Sequence, residues 1–352
     1  HIQMKLKQWS LLAALTVTLP LAACGGDDGA SSTSDAPASS DAPASTDAPS
    51  TGEGGSVFVT GSSTVEPISI KVGELAGTEE GGNLKVTVEG PGTGDGFKKF
   101  CAGDGDITGA SRAIKEEEAT LCADAGIEYI ELAVAIDGLT VATSPANTAI
   151  ECLDNAALYA LIGPESEGFS SWADANTIAG ELGSAYATLP DAPLSIFGPG
   201  EESGTYDSFV EFAFKSISGD RGTDMVTRAD YTASPNDNVI VDGIESADTS
   251  LGWVGFAYYK AEQARMKAIA IADKEGVCVV PTDETIADGS YPFSRTLYIY
   301  VNKAKAVENP AVVAYVNLYL SAQGGEQVSA AGYVQLDSAK QQLSLDAWTA
   351  RG

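Results

Sequence analysis

The feature that most restricts what this chain can fold into is a recurring order: a short apolar β-type run, then a loop of glycines and hydroxyls, then a helical pattern. "SVFVTGS" leads through "TGSSTVEP" into "VEPISIKVGELAG", "LKVTVEG" leads into "EGPGTGDGFKKF", and "PLSIFGPG" leads into "FGPGEESGTYDSF". Alternation of this kind predicts an α/β architecture of layered helices on largely parallel sheets. In such sheets ligands bind at the carboxyl ends of strands, where the loops to the helices begin.

The three loops occupy that place and share one chemistry. Glycine lets backbone N–H groups come close to a ligand, and Ser or Thr adds hydroxyl donors. In the third loop Ser203, Gly204 and Thr205 precede the apolar-periodic Phe209, Val210, Phe212, Ala213 and Phe214. The unsatisfied N–H groups of such a helix start and the positive end of its dipole favour an anion. Taken alone, the same residues read more readily as an ordinary N-cap, with Ser203 or Thr205 capping the helix, than as a ligand site. A fourth segment, "GDGDITGASRAIK", adds Arg112 behind Ser111, a fixed charge with planar donors suited to an oxyanion.

Elsewhere "IEYIELAVAIDGLTVAT" reads as a long extended stretch and "RTLYIYVNK" as a strand. "SLGWVGFAYYKAEQARMKAIAIA" reads as a glycine-broken aromatic turn joined to a helix and strand, and "PAVVAYVNLYLSAQGGEQVSAAG" as one amphipathic helix. Trp172, Trp253, Tyr258 and Tyr259 are expected in core and hinge packing.

The first residues follow another logic. After a start at Met4, Lys5 and Lys7 precede the apolar "WSLLAALTVTLPLAA", which ends in "LAAC" at Cys24. This resembles the lipobox of bacterial lipoproteins, so residues 1–23 are expected to be a signal peptide and Cys24 a lipidated N-terminus. Residues 24–56, with three repeats of Asp-Ala-Pro, lack the apolar content for a core and are expected to form a disordered tether. The expected location is extracytoplasmic, on a membrane anchor.

Four further cysteines, Cys101, Cys122, Cys152 and Cys278, argue for two disulfides in an exported protein, with three pairings open. The single histidine, His1, precedes the expected start. Without it, Ser-His-Asp and Cys-His nucleophilic systems and histidine-ligated metal sites are excluded, and no metal or cofactor is expected. "GPGTGDG" lacks the ending of a P-loop and the spacing of a dinucleotide fingerprint. The formal net charge of −29 disfavours nucleic acid and anionic membrane as partners. It leaves room for a desolvated anion site, because charges beyond roughly 8–10 Å are screened.

"GSSTVEP", "EGPGTGDGFKKFCAGDGDITGASRAIK", "AVAIDGLTVATSP", "GPGEESGTYDSF", "YTASPNDNVIVDGI", "LGWVGFAYY" and "YPFSRTLYIYV", in this order, resemble the PstS family, the phosphate-binding lipoproteins of bacterial phosphate ABC transporters. The resemblance implies the two-lobed periplasmic-binding-protein fold of type II, with two crossovers near residues 139–143 and 294–298 and the ligand in the interlobe cleft. Residues 57–140 with 297–352 would form one lobe and 141–296 the other. That division favours the pairings Cys101–Cys122 and Cys152–Cys278, one in each lobe.

Matched position by position, Thr64 and the Val65 N–H correspond to the family's first phosphate loop, Thr93 to the second, and Ser203, Gly204 and Thr205 to its Ser-Gly-Thr. Arg112 stands where well-known members carry Asp, and Pro199 where they carry Arg. The arginine is thereby expected on the other lobe, and the acceptor for the phosphate proton is left among Asp207, Asp95 and Glu202. Ser63 and Asn238 are further candidate contacts. The implied function is capture of inorganic phosphate and delivery to an ABC permease by a monomer that performs no chemistry. The alternatives are another tetrahedral oxyanion, such as sulfate or arsenate, and a phosphatase-like enzyme.

Overall fold

The computed structural model describes residues 54–351. The expected signal peptide, Cys24 and nearly all of the expected tether lie outside them.

Strands β1 (Ser56–Gly61), β2 (Lys85–Val88) and β3 (Ile107–Ala110) alternate with helices α1 (Glu66–Ala76), α2 (Thr93–Cys101) and α3 (Glu116–Asp124). A 15-residue strand, β4 (Tyr129–Thr143), is followed by β5 (Cys152–Leu153), α4 (Asn155–Ile162) and α5 (Asn176–Glu181). Then come β6 (Ser195–Gly198), α6 (Gly204–Arg221), β7 (Thr232–Ala233), α7 (Asp237–Ser246), β8 (Ser250–Gly255) and α8 (Phe256–Glu262). Strands β9 (Lys267–Ala268), β10 (Ala270–Ala272) and β11 (Cys278–Val279) and helix α9 (Asp283–Asp288) lead to β12 (Ser294–Asn302). Helices α10 (Lys303–Glu308), α11 (Pro310–Tyr319), α12 (Ala322–Ala330) and α13 (Ser338–Thr349) close the chain.

The main sheet runs β2-β1-β3-β12-β4-β8-β6-β7, with β9 beside β4. Its two ends are parallel, as βα alternation requires, and its middle is antiparallel because β12 and β4 run against their neighbours. The smaller sheet is β11-β10-β5. Strand β4 changes partner halfway: residues up to Gly138 pair with β12, and Leu139 onward pairs with β8. One apolar core, with Val57, Ile68, Leu132, Ile299 and Tyr315, packs along the first part of that path. Another, with Val141, Leu158, Phe209, Trp253 and Ile271, packs along the second. The disulfides are Cys101–Cys122 and Cys152–Cys278.

Three local readings are corrected. "ITGA", grouped above with the three loops as part of a fourth segment, is strand β3, every residue buried between β1 and β12. "SLGWVG", read as a turn, is strand β8: Gly252 is required because a Cβ there would lie 2.4 Å from the Phe197 carbonyl oxygen. The single C-terminal amphipathic helix is two, α11 and α12, since the Ser321 hydroxyl accepts from the Gly324 N–H and starts a new helix.

Candidate functional site

Each of the three glycine-hydroxyl loops starts a helix. After β1, Gly61 takes a φ of +123° that suits only glycine. The Ser62 hydroxyl then accepts from the Thr64 N–H at 3.1 Å, and the Ser62 carbonyl accepts from the Val65 and Glu66 N–H groups. At the second loop Gly92 has a φ of +105° and Thr93 opens α2; the Thr93 hydroxyl accepts from the Ser111 N–H at 3.2 Å and lies 3.1 Å from the Ser111 hydroxyl. Helix α2 comes so close to β1 that a Cβ on Gly96 would lie 2.3 Å from Gly61 Cα. At the third loop Ser203 caps α6 by accepting from the Thr205 N–H at 3.2 Å.

Tertiary contacts join these loops. Ser63 Oγ donates to Asp207 Oδ2 at 2.8 Å, across 144 residues of sequence, and Gly204 packs against the Ser63 carbonyl and Thr64 Cα. A cavity of about 570 Å³ lies among them, lined by Ser63, Thr64, Thr93, Ser111, Arg112 and Asp207. The half-buried Asp207 carboxyl is pushed above its usual pKa by loss of water, against the Ser63 hydrogen bond.

At its edge stands a charge cluster. Arg295 and Asp137 are direct cross-strand neighbours on β12 and β4, and Arg295 Nε donates to Asp137 Oδ2 at 3.2 Å. Arg295 also donates to Glu211 at 2.5 Å, to Thr64 Oγ1 at 3.3 Å and to Ser208 Oγ at 3.2 Å, while its guanidinium lies 4.7 Å from the centre of the Phe212 ring. Ser208 Oγ in turn donates to Asp137 at 2.7 Å. Burial pushes the Asp137 carboxyl upward in pKa, against Arg295 and Ser208, so the arginine offsets much of the cost of enclosing this charge.

The expected residues fall into two groups. Ser63, Thr64, Thr93, Arg112 and Asp207 line the cavity, with Ser203, Gly204 and Thr205 at the flanking helix start. Val65 is buried and its N–H already serves the Ser62 carbonyl. Arg112 lines the cavity, but Glu118 accepts from both its terminal nitrogens at 2.7 Å and holds it on the α3 side. Three residues stand apart. Asp95 is exposed and paired with Lys98 at 2.7 Å, because it lies on the outer side of the first turn of α2. Asn238 is exposed and accepts from the Tyr258 hydroxyl, and Glu202 is exposed.

Sequence reasoning missed Asp137, Arg295 and Ser208. The usable signal was a lone carboxylate within "LAVAIDGLTVAT" and a lone arginine beginning "RTLYIYVNK". A charge inside a strand whose other residues are apolar requires a partner.

Known proteins resemble this chain in sequence and fold. Residues 43–323 match the PBP superfamily domain. Protein SphX of Synechocystis sp. is 38% identical over 284 residues, 80% of this chain and 78% of that protein. The phosphate-binding protein PstS of Staphylococcus aureus is 31% identical over 345 residues, 97% of this chain and 92% of that one. The crystal structure of a possible phosphate binding protein from Planctomyces limnophilus superposes with a TM-score of 0.75 at 38% identity, covering 84% of this chain and 98% of that one. With its α/β layers, its long shared strands and its three loop-to-helix starts around one cavity, this chain belongs to the PBP superfamily and, within it, to the PstS-type proteins.

Proposed function

We propose that this protein captures inorganic phosphate outside the cytoplasm and delivers it to an ABC permease. The observation that carries the reading is the convergence of Thr64, Thr93 and the α6 start on one cavity edged by Arg295. Helix N-termini and hydroxyls stabilise a tetrahedral oxyanion, and Arg295 and Arg112 supply charge-assisted donors. The names of the S. aureus and Planctomyces relatives point the same way.

Asp207 is the proton acceptor in this reading. At neutral pH phosphate carries at least one proton and sulfate none, so an inward carboxylate accepts a hydrogen bond from the first and repels the second. Residues 57–140 with 297–352 and residues 141–296 act as two lobes that close over the anion about β4 and β12. Cys24 anchors the chain to the membrane, and the protein works as a monomer without catalysis.

Calorimetry of the ligand-stripped protein against phosphate, arsenate, sulfate and molybdate tests the ligand. Phosphate and arsenate are expected to bind one to one, with sulfate and molybdate far weaker. Equal response to all four, or to none, overturns the reading. Protein-dependent uptake of labelled phosphate by permease-bearing vesicles tests the delivery step.

A further inference from the structure

Tyr333 stands beside this site, against Gly204 and next to the Ser63–Thr64 turn, without a role in the reading above. It follows Gly332, which turns the chain at a φ of +88° after α12, and its N–H donates to the Val328 carbonyl at 3.1 Å. The next residue, Val334, exchanges two backbone hydrogen bonds with Ile136, at 2.8 and 2.9 Å, one position before Asp137. The phenol is thus fastened beside the Asp137–Arg295 pair rather than carried on a free loop.

The residue is 7% exposed and packs in the core around β1 and α11. Its hydroxyl stands against the start of α6, where a Cβ on Gly204 would come within 3.1 Å of it, 3.5 Å of the Ser63 carbonyl oxygen and 3.7 Å of Thr64 Cα. Among the described residues the hydroxyl has no hydrogen-bond partner, and it is not one of the fully enclosed polar atoms, so it stays open to water or a ligand. Loss of water, with the negative charges of Asp137 and Asp207, pushes its pKa above the usual value, so it stays protonated.

We infer that Tyr333 is a further binding residue of the anion site: its hydroxyl donates to the bound oxyanion, and by standing against Gly204 it sets how closely α6 approaches the Ser63–Thr64 turn. The inference rests on the anion-binding reading. A neutral donor bonds any tetrahedral oxyanion, so Tyr333 contributes affinity without choosing between phosphate and sulfate, the opposite of the role given to Asp207. Glycine at 204 is the counterpart of the hydroxyl, since no larger residue fits between them without a shift.

Calorimetry with phosphate and sulfate, with melting temperatures, on the full chain carrying Tyr333→Phe, Gly204→Ala and both together tests this. Tyr333→Phe should weaken both anions by about five- to tenfold, leave their ratio unchanged and not lower the melting temperature, because the hydroxyl has no protein hydrogen bond to lose. Gly204→Ala should weaken phosphate binding in the natural background and cost clearly less in the Tyr333→Phe background, where the oxygen that its Cβ meets is gone. Unchanged phosphate affinity in Tyr333→Phe, a changed phosphate-to-sulfate ratio, or additive losses in the double variant overturns the inference. Failure of the unaltered protein to bind phosphate overturns instead the function on which it rests.

Discussion

At the residue scale the decisive group is Arg295, whose side chain is only 15% exposed and which serves Asp137, Glu211, Thr64 and Ser208 at once. Removing one partner of such a pair leaves the other charge enclosed and uncompensated. Arg295→Gln is therefore expected to lower unfolding stability by about 3–5 kcal/mol in urea titrations, and Asp137→Asn added to it should restore part of the loss. Asp207 gives a pH test. Its folded pKa lies above the unfolded one, so its ionisation destabilises the fold progressively as pH rises from about 4 through the folded value. Asp207→Asn should thus raise the ligand-free melting temperature at about pH 7, with the difference vanishing near pH 3, where the carboxyl is protonated in both states. The same variant should narrow the phosphate-to-sulfate gap.

At the element scale, the position of α2 depends on the absence of side chains where it crosses β1. A Cβ on Gly96 would meet Gly61 Cα at 2.3 Å and Thr108 Oγ1 at 2.8 Å, and both lie on strands paired on each side. Gly96→Ala must push the helix outward and carry the Thr93–Ser111 contact with it. Stability should fall by about 1–3 kcal/mol, with weaker anion binding measured by calorimetry. Gly94, where an added Cβ meets nothing within 4 Å, is the control: Gly94→Ala should leave stability equal or slightly raised, through its effect on helix propensity.

At the scale of the whole molecule, β4 joins the two parts of the main sheet by passing from β12 to β8, Cys101–Cys122 ties α2 to α3, and Cys152–Cys278 ties β5 to β11 of the smaller sheet. Cys152–Cys278 spans 126 residues and Cys101–Cys122 spans 21. On the chain-entropy account the longer loop restricts the unfolded chain more, so replacing Cys152 and Cys278 by serine should cost about 1–2 kcal/mol more than replacing Cys101 and Cys122. Denaturant unfolding of the two double variants without reductant measures the difference.

Local chemistry alone determined much of this protein. The alternation from "SVFVTGS" to "FKKF" became β1 to α2, "IEYIELAVAIDGLTVAT" became β4 within two residues of its ends, and the Ser-Gly-Thr segment became a capped helix start. These are periodicities and caps, which need only neighbours in the chain. Only the tertiary structure decided that "ITGA" and "SLGWVG" are strands, since their hydrogen bonds come from β1, β12, β4 and β6. It also separated Asp207, drawn inward by Ser63, from Asp95, which turns out to Lys98, although both are first-turn acids after a glycine-rich loop. The Arg295–Asp137 pair lies furthest from local inference: its partners are 158 residues apart, and strand register, which places them face to face, is set by the packing of the whole sheet.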